Sequence, residues 1–300
     1  METIEINTIT ELYDFYNGGK PKHPLITVVD LASADRSYRP PGQFNYKFGM
    51  YIISCKSFTG EMRYGRSTYD FSEGSMMFTA PYQIISPDPG SFCDLKGWAM
   101  YIHPDFFNSS PKGKNLTHYS FFGYDTNEAL HISDTETHIL RECVSNIEKE
   151  ISQNMDKHTH NLIISNIELL LTYCARFYDR QFLTRAPINN DLVQNFGNLL
   201  TDYFEDDALT AQGLPDVQYF ASKLHLSPNY LSDLLNKYTG KSTQEHIHLK
   251  LIDKAKSLLW STEKSISEIA YDLGFEYPSY FTKLFKSKIG VSPKEFRNAH

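Results

Sequence analysis

The sequence predicts a multidomain α+β protein: an N-terminal β-barrel with two following helices, then a C-terminal all-α domain. Three observations support this fold class. Residues 20–107 contain short β-rich runs, residues 134–180 show a helical hydrophobic period, and residues 213–300 contain an internal repeat. With 300 residues, 41% of them hydrophobic, the chain is long enough to form two packed cores.

Four short segments rich in β-branched and aromatic residues predict the strands of the first domain. They are LITVVDLA (25–32), FGMYIISCKS (48–57), GSMMFTAPYQIIS (74–86) and GWAMYIHPDFF (97–107). Turn clusters such as YRPPGQ, FSEG and SPDPG lie between them. Many short strands at this spacing are typical of a small antiparallel barrel or sandwich, so we predict a barrel here.

Two amphipathic helices are predicted after the strands, over 134–153 and 160–180, because apolar residues recur there every three or four positions. The second helix has one long apolar stripe, formed by Ile163, Ile167, Leu170, Cys174 and Phe177. Such a stripe has two interpretations, packing on the barrel or forming a homodimer interface.

A proline within a polar cluster, in TRAPINND, predicts a linker over residues 184–190. The linker separates a first domain of residues 1–183 from a second domain of residues 191–300. Every segment after the linker has a helical hydrophobic pattern.

The second domain repeats one pattern twice. SPNYLSDLLNKYTGKS (227–242) aligns with YPSYFTKLFKSKIGVS (277–292) at an offset of 50, and VQYFASKLHL (217–226) aligns with ISEIAYDLGF (266–275) at an offset of 49. In each copy a proline stands where a helix would begin and a glycine where it would end. Each copy therefore predicts a short helix, a tight turn and a second helix, which is the helix-turn-helix motif.

The second helix of each copy is expected to have one buried and one exposed face. Small polar and basic side chains occupy the exposed face, where they could reach base edges and phosphates of DNA. These candidate DNA-binding residues are Asn229, Ser232, Asp233 and Asn236 in the first copy, and Ser279, Thr282, Lys283 and Lys286 in the second. Between the copies, QEHIHLKLIDKAKSLLW predicts one long helix that docks through Ile247, Leu251, Ala255 and Leu258.

The charge distribution agrees with a nucleic-acid partner for the second domain only. The whole chain has a formal net charge of −7, but residues 213–300 contain 12 Lys and Arg against 9 Asp and Glu. The remaining residues contain 17 basic and 27 acidic side chains. A polyanion responds to the local field of the surface it meets, so the acidic average does not exclude DNA.

These C-terminal segments resemble a known family. SISEIAYDLGFEYPSYFTKLFKSKIGVSPKEFR and LHLSPNYLSDLLNKYTGKS are similar to the DNA-binding domain of AraC/XylS-type transcription regulators. The resemblance implies a sequence-specific regulator of promoter or operator DNA with an N-terminal cupin-like domain for sensing and dimerisation, and with RNA polymerase as a further partner. It places base-facing positions at Asn229, Ser232 and Asp233, and at Ser279, Thr282 and Lys283. Asp233 is acidic where an arginine is often useful, but a carboxylate accepts a hydrogen bond from cytosine.

The first domain has candidate effector-binding residues but no recognisable catalytic or metal motif. Residues that could line a barrel cavity are Met50, Arg63, Tyr64, Met76, Phe78 and Trp98, with ordinary barrel core as the competing interpretation. Only His23 and His103 occur in the predicted strand region, so the His-x-His pair of a metal-binding cupin is missing. We therefore predict a non-enzymatic protein with no metal and no cofactor.

The expected location is the cytoplasm. The acidic N-terminus has no apolar run of signal length, no stretch approaches 18 apolar residues, and the four cysteines form no C-x-x-C pair. Two alternatives to a regulator remain, a cupin-type enzyme with a helical tail and a protein-interaction adaptor. Metal analysis would identify the first, and the absence of salt-dependent DNA affinity would indicate the second.

Overall fold

The computed structural model forms two compact units, Met1–Thr184 and Arg185–His300. The residues that the structure describes are 2–16, 18–33, 44–57, 74–85, 96–109, 113, 118–125, 128–205, 209 and 212–298. The first unit contains strands and helices, whereas the described secondary structure of the second unit is helical throughout. The predicted α+β fold class is therefore confirmed.

The first unit contains eight described strands in two sheets. They are β1 (Glu2–Ile6), β2 (Ile26–Asp30), β3 (Phe44–Phe48), β4 (Tyr51–Ser57), β5 (Gly74–Thr79), β6 (Ile84–Ile85), β7 (Lys96–Ile102) and β8 (Leu130–Ile132). One sheet has the order β1-β3-β6, with β1 parallel to β3, and the other is antiparallel with the order β2-β7-β4-β5-β8. The segments 34–43, 58–73 and 86–95 lie outside the described residues, so the cupin-like barrel stays a prediction.

Three short elements of the first unit differ from the sequence prediction. Strand β1 and helix α1 (Ile9–Phe15) were not predicted, and α1 buries Ile9 and Leu12. The predicted strand over 97–107 is wrong beyond Ile102, because helix α2 (Pro104–Asn108) begins there. The Nδ1 atom of His103 accepts the Asp105 amide at 3.2 Å, and a proline suits the first helical position.

Helices α3 (Asp134–Ser152) and α4 (Thr159–Thr184) pack on each other and on the larger sheet, as the apolar periods predict. Gln181 ties α4 to β8, since its Oε1 atom accepts the His131 amide at 2.8 Å. Cys55, Cys143 and Cys174 are free and buried, and burial raises the pKa of all three thiols, that of Cys55 to about 11. The predicted stripe on α4 is also buried within this one chain.

The second unit consists of seven described helices. They are α5 (Ala186–Glu205), α6 (Val217–Leu224), α7 (Pro228–Thr239), α8 (Thr243–Ser261), α9 (Ile266–Asp272), α10 (Pro278–Ile289) and α11 (Pro293–Asn298). None of the helices that the structure describes is both long enough and apolar enough to cross a bilayer.

The residues assigned to a linker are largely helical. Helix α5 begins at Ala186, so residues 186–190 form its first turns, and Pro187 lies where a helix tolerates proline. Asn189 is buried, and its Nδ2 donates a hydrogen bond of 3.2 Å to the Tyr238 hydroxyl of α7. Most of these residues are therefore helical rather than an irregular loop, while the predicted domain boundaries stay a prediction.

Candidate nucleic-acid interface

The two copies of the repeat form two helix-turn-helix motifs, α6–α7 and α9–α10. Their turns have the same hydrogen-bond pattern, since Leu226 donates its amide to the Ala221 carbonyl and Phe275 donates to the Ala270 carbonyl, each at 2.9 Å. The residue before each donor is left-handed, His225 with φ 56° and Gly274 with φ 82°. The turn geometry is therefore shared, although only the second copy uses glycine.

The second helix of each motif ends in the same way. Gly240 follows α7 with φ 72°, and Gly290 follows α10 with φ 90°, in the left-handed conformation that glycine adopts at low cost. A capping box then starts the next helix in both copies. In the first, the Glu245 carboxylate accepts the Ser242 amide at 2.8 Å, and in the second Glu295 accepts the Ser292 amide at 2.7 Å.

The buried faces of α7 and α10 fix their orientation in the domain. Leu231, Leu234 and Leu235 are fully buried on α7, and Phe281 and Phe285 are fully buried on α10. Burying such side chains stabilises each helix position by about 1.5–3 kcal/mol per residue. The opposite face of each helix is therefore directed away from the core.

All eight predicted DNA-binding residues lie outside these buried faces. Asn229, Asn236, Ser279, Lys283 and Lys286 are exposed, whereas Ser232, Asp233 and Thr282 are half-buried. The Thr282 hydroxyl donates to the Pro278 carbonyl at 3.1 Å, which orients its methyl group and leaves lone pairs on the oxygen. The structure thus brings each predicted set together on one helix face, while contact with DNA stays a prediction.

The positive charge of this surface comes from lysines. Lys283, Lys286 and Lys288 are exposed along α10, and Lys237 and Lys241 are exposed at the end of the first motif. Burial lowers the pKa of His246 and of His248, and nearby Lys241 and Lys288 respectively lower them further. These two imidazoles are therefore neutral at pH 7 and add nothing to the basic field.

Sequence reasoning missed an aromatic pair at the start of α10. Tyr280 is 64% exposed, whereas its counterpart Tyr230 in the first copy is only 5% exposed. The ring of Tyr277, also exposed, meets the ring of Tyr280 edge-on with centroids 5.8 Å apart. The available signal was the change of offset from 49 to 50, which puts one additional residue, Glu276, into the second turn.

Helix α8 runs between the motifs and contacts α7 and α9. Ile247, Leu251 and Ala255 are buried as predicted. Leu258 was predicted in the same stripe but is only half-buried, and Leu259 is buried in its place. At about 100° per residue, Leu258 is in line with Ile247, whereas Leu259 lies about 40° from Ala255. The buried face of α8 therefore turns along the helix, from the first motif towards the second.

The described candidate effector residues are buried, as both the cavity and the core interpretation predict. Met50, Met76, Phe78 and Trp98 are all buried, and the Phe78 ring lies 4.4 Å from that of Phe121. The described residues do include an open groove along α3, but none of the predicted lining residues contributes to it. Arg63 and Tyr64 lie outside the described residues, so their part of the prediction stays open.

No group of three or more His, Cys, Asp or Glu side chains in the described part of the chain is arranged to hold a metal ion. His160, in the first turn of α4, lies with its Nε2 2.7 Å from the hydroxyl of Ser109, the residue that follows α2. His246 lies with its Nε2 2.8 Å from the Thr239 hydroxyl.

Comparison with known proteins finds matches for part of the chain. Residues 220–299 match a family model described as a helix-turn-helix domain. The uncharacterized HTH-type transcriptional regulator YfiF of Bacillus subtilis (strain 168) is 36% identical over 160 residues, which cover 52% of this chain and 46% of YfiF. The HTH-type transcriptional activator RhaS of Salmonella paratyphi B is 27% identical over 135 residues, covering 45% of this chain and 46% of RhaS.

Among solved structures, the C-terminal domain of the two-component response regulator yesN from Fusobacterium nucleatum is 34% identical with a TM-score of 0.31. That match covers 34% of this chain and 98% of the yesN domain. The chain spans about half the length of the curated relatives it matches.

Proposed function

We propose that this chain, which has an AraC-type helix-turn-helix domain at its C-terminal end, is a sequence-specific DNA-binding transcription regulator. The observation that carries the proposal is the duplicated motif with an exposed polar or basic face on each second helix, α7 and α10. A single α-hairpin would support this weakly. Two such hairpins with matched turns, joined by one helix, are the arrangement expected of a protein that reads two stretches of DNA.

The proposed mechanism divides the contacts between phosphates and bases. Exposed lysines, such as Lys286 and Lys288, neutralise phosphates and release counterions. Small polar side chains, such as Asn229 and Ser279, reach base edges in the major groove. Helix α8, with 19 residues at about 1.5 Å each, is roughly 28 Å long, which is close to one turn of DNA at about 34 Å. The two reading helices would thus address successive major grooves.

The test uses the full-length chain and a pool of random-sequence duplexes. We expect selection of a defined motif and an affinity that falls steeply with salt, because each neutralised phosphate releases counterions. The double variant Lys283→Ala, Lys286→Ala should lose most of this affinity, whereas Lys157→Ala, at an exposed lysine of the first unit, should not. A folded protein without DNA affinity at low salt would overturn the proposal.

We further propose a non-enzymatic protein that acts in the cytoplasm, where its DNA lies, and that contacts RNA polymerase at promoters. The first unit would sense a small molecule, and the candidate lining residues remain Met50, Arg63, Tyr64, Met76, Phe78 and Trp98. Metal analysis and thermal-shift screening of the full chain test these points, since an enzyme of the cupin type would retain a bound metal.

The regulator would work as a homodimer, but through a different face of α4 from the one predicted. Ile163, Ile167 and Leu170 are fully buried within one chain and are not available to a partner. Leu162, Leu169 and Leu183 are exposed at intervals of seven and fourteen residues. This spacing puts them within about 60° of one another on the opposite side of the helix.

Leu169→Glu tests this interface, with Ile167→Glu as the matched comparison two positions away. We expect the first variant to be a folded monomer and the second to unfold, because it puts a charge into the core. Sedimentation and circular dichroism together separate these outcomes. A folded Leu169→Glu protein that stays dimeric would exclude this face.

A further inference from the structure

The turn of the second helix-turn-helix motif, at Gly274, meets the segment that precedes the first motif, at Gly213, backbone to backbone. A methyl carbon placed on Gly274 would lie 2.9 Å from the Gly213 carbonyl carbon and 2.9 Å from the Leu214 amide nitrogen. Both glycines are left-handed, with φ 80° at Gly213 and 82° at Gly274. Glycine is therefore needed at position 274 for the close approach as well as for the backbone conformation.

The contact connects different motifs. Gly213 lies just before the first motif, whose helix α6 begins after the capping residue Asp216. Gly274 is the left-handed residue in the turn of the second motif. The segment at Gly213 is itself held to α5, because the Tyr203 hydroxyl, on a buried side chain, donates to the Gly213 carbonyl at 2.9 Å.

The equivalent position in the first motif makes no use of such a contact. His225 has the same left-handed conformation as Gly274 but carries an exposed side chain. The turn alone therefore accepts a side chain, and the close approach to Gly213 is what requires glycine in the second copy. The difference between the two copies shows that the close contact with Gly213, and not the turn conformation, requires glycine.

We propose that the Gly213–Gly274 contact is a positioning joint that fixes the separation of the reading helices α7 and α10, and with it the spacing of the two DNA sites that the protein accepts. This inference rests on the proposed function. If helix α8 were the only connection, the two motifs could rotate about its axis relative to each other. The Gly213–Gly274 contact is a second connection away from α8, and it prevents this rotation.

Because of the joint, the two motifs would bind DNA as one rigid body. Two linked modules gain affinity because binding of the first raises the effective concentration of the second, and the gain depends on how well the geometry matches the sites. A loosened joint would lower this gain at the preferred spacing and raise tolerance of other spacings. Contacts within each separate site would be unchanged.

Gly274→Ala tests the joint, and Gly290→Ala is the matched control. Gly290 is also left-handed, with φ 90°, but an added methyl carbon there meets no atom within 4 Å. Both variants therefore introduce backbone strain, whereas only Gly274→Ala disturbs the contact. The DNA is the duplex selected by the wild-type protein, together with versions carrying one or two base pairs inserted or deleted between its two sites.

We expect Gly274→Ala to lose about tenfold in affinity at the original spacing and to show a flattened spacing profile. Gly290→Ala should keep the wild-type profile. If Gly274→Ala does not fold, Tyr203→Phe removes the hydroxyl that anchors Gly213 and should flatten the profile in the same direction. A folded variant at either position with an unchanged profile would overturn the joint, as would an equal flattening by Gly290→Ala.

A measurement without DNA separates this inference from the proposed function. Spin labels at exposed positions on the two reading helices, introduced by Lys237→Cys and Ser287→Cys with Cys93→Ser, report the distance between α7 and α10. Gly274→Ala should broaden the distance distribution and Gly290→Ala should not. If the distribution broadens in a protein that binds no DNA, the joint is supported and the proposed DNA binding is excluded. If the distribution does not broaden, the joint is excluded.

Discussion

The two helix-turn-helix motifs have the same turns but present different surfaces. The first begins its second helix with Ser227, whose hydroxyl accepts the Tyr230 amide at 3.2 Å, and it buries the Tyr230 ring. The second begins with Tyr277, which makes no side-chain cap, and it exposes Tyr280. One additional residue in the second turn accompanies both changes. A duplicated motif can thus keep its core and still acquire a different reading surface.

The charges differ in the same direction. At aligned positions the first motif has Asp233 and the second has Lys283, and Asn236 corresponds to Lys286. The second motif is therefore the stronger candidate for phosphate contacts, and the first depends more on hydrogen bonds to bases. Four measurements test how far the two motifs differ in stability, DNA contacts and helix caps.

The largest difference is expected for the two aligned tyrosines. Tyr230→Ala should destabilise the protein by about 3 kcal/mol, because it leaves a cavity in the core. Tyr280→Ala should change stability by less than about 0.5 kcal/mol, since the ring is exposed. Chemical denaturation of both variants measures the contrast. Equal losses of stability would mean that the two rings have equivalent environments.

The aligned Asp233 and Lys283 should differ in their effect on DNA binding. Lys283→Ala should cost roughly 1–3 kcal/mol of discrimination at particular base pairs. Asp233→Ala should change base preference without reducing the salt slope. Lys288→Ala, at a predicted phosphate contact, should weaken all sequences about equally. Uniform weakening by Lys283→Ala would contradict the assignment of this lysine to base edges.

Exchanging the helix caps should have opposite effects in the two motifs. Ser227→Ala removes the hydroxyl that satisfies the Tyr230 amide and should cost about 1 kcal/mol. Tyr277→Ser supplies a hydroxyl where none is used and should stabilise α10 by about 0.5 kcal/mol. Thermal unfolding monitored by circular dichroism would detect both. A destabilising Tyr277→Ser would show that the exposed ring supports the fold.

The smallest effect concerns a feature that both motifs share. The Ser242 and Ser292 amides, as the main cause, lower the pKa of Glu245 and of Glu295 below the usual 4.5. The stabilisation is therefore fully present above the ordinary pKa and is lost as pH falls through the lowered pKa of the folded protein. Glu245→Gln and Glu295→Gln should each slightly reduce acid sensitivity below about pH 4.5, to the same extent. An effect in only one variant would show that the two capping boxes are not equivalent.

The second unit could be predicted closely because its signals are local. Pro228, Pro278, Gly240 and Gly290 mark helix ends through constraints on single residues, and the repeat makes each indication count twice. Helical periodicity placed the eight candidate DNA-binding residues on the exposed faces, and the family resemblance assigned six of them to base edges, which stays a prediction. The exposure of Tyr280 could not be predicted, because the aligned Tyr230 is buried and the identity of the residue does not distinguish the two environments.

The first unit was predicted less completely because its contacts are distant along the chain. Pairing of β1 with β3 joins Glu2 to Phe44, and no local pattern specifies such a pair. Met50, Met76, Phe78 and Trp98 have the composition of a ligand cavity and of a hydrophobic core alike. The ring contact between Phe78 and Phe121 is compatible with both, so these positions stay predictions.

The hydrogen bond from Asn189 to Tyr238 bears on where a fragment of the second unit should begin. A fragment that begins at residue 191, as the proline and the polar cluster would recommend, removes the donor and leaves a hydroxyl on α7 without this partner. A fragment that begins at Arg185 retains it together with the first turn of α5. A fragment of the second unit that keeps this hydrogen bond therefore includes helix α5 in addition to the repeat.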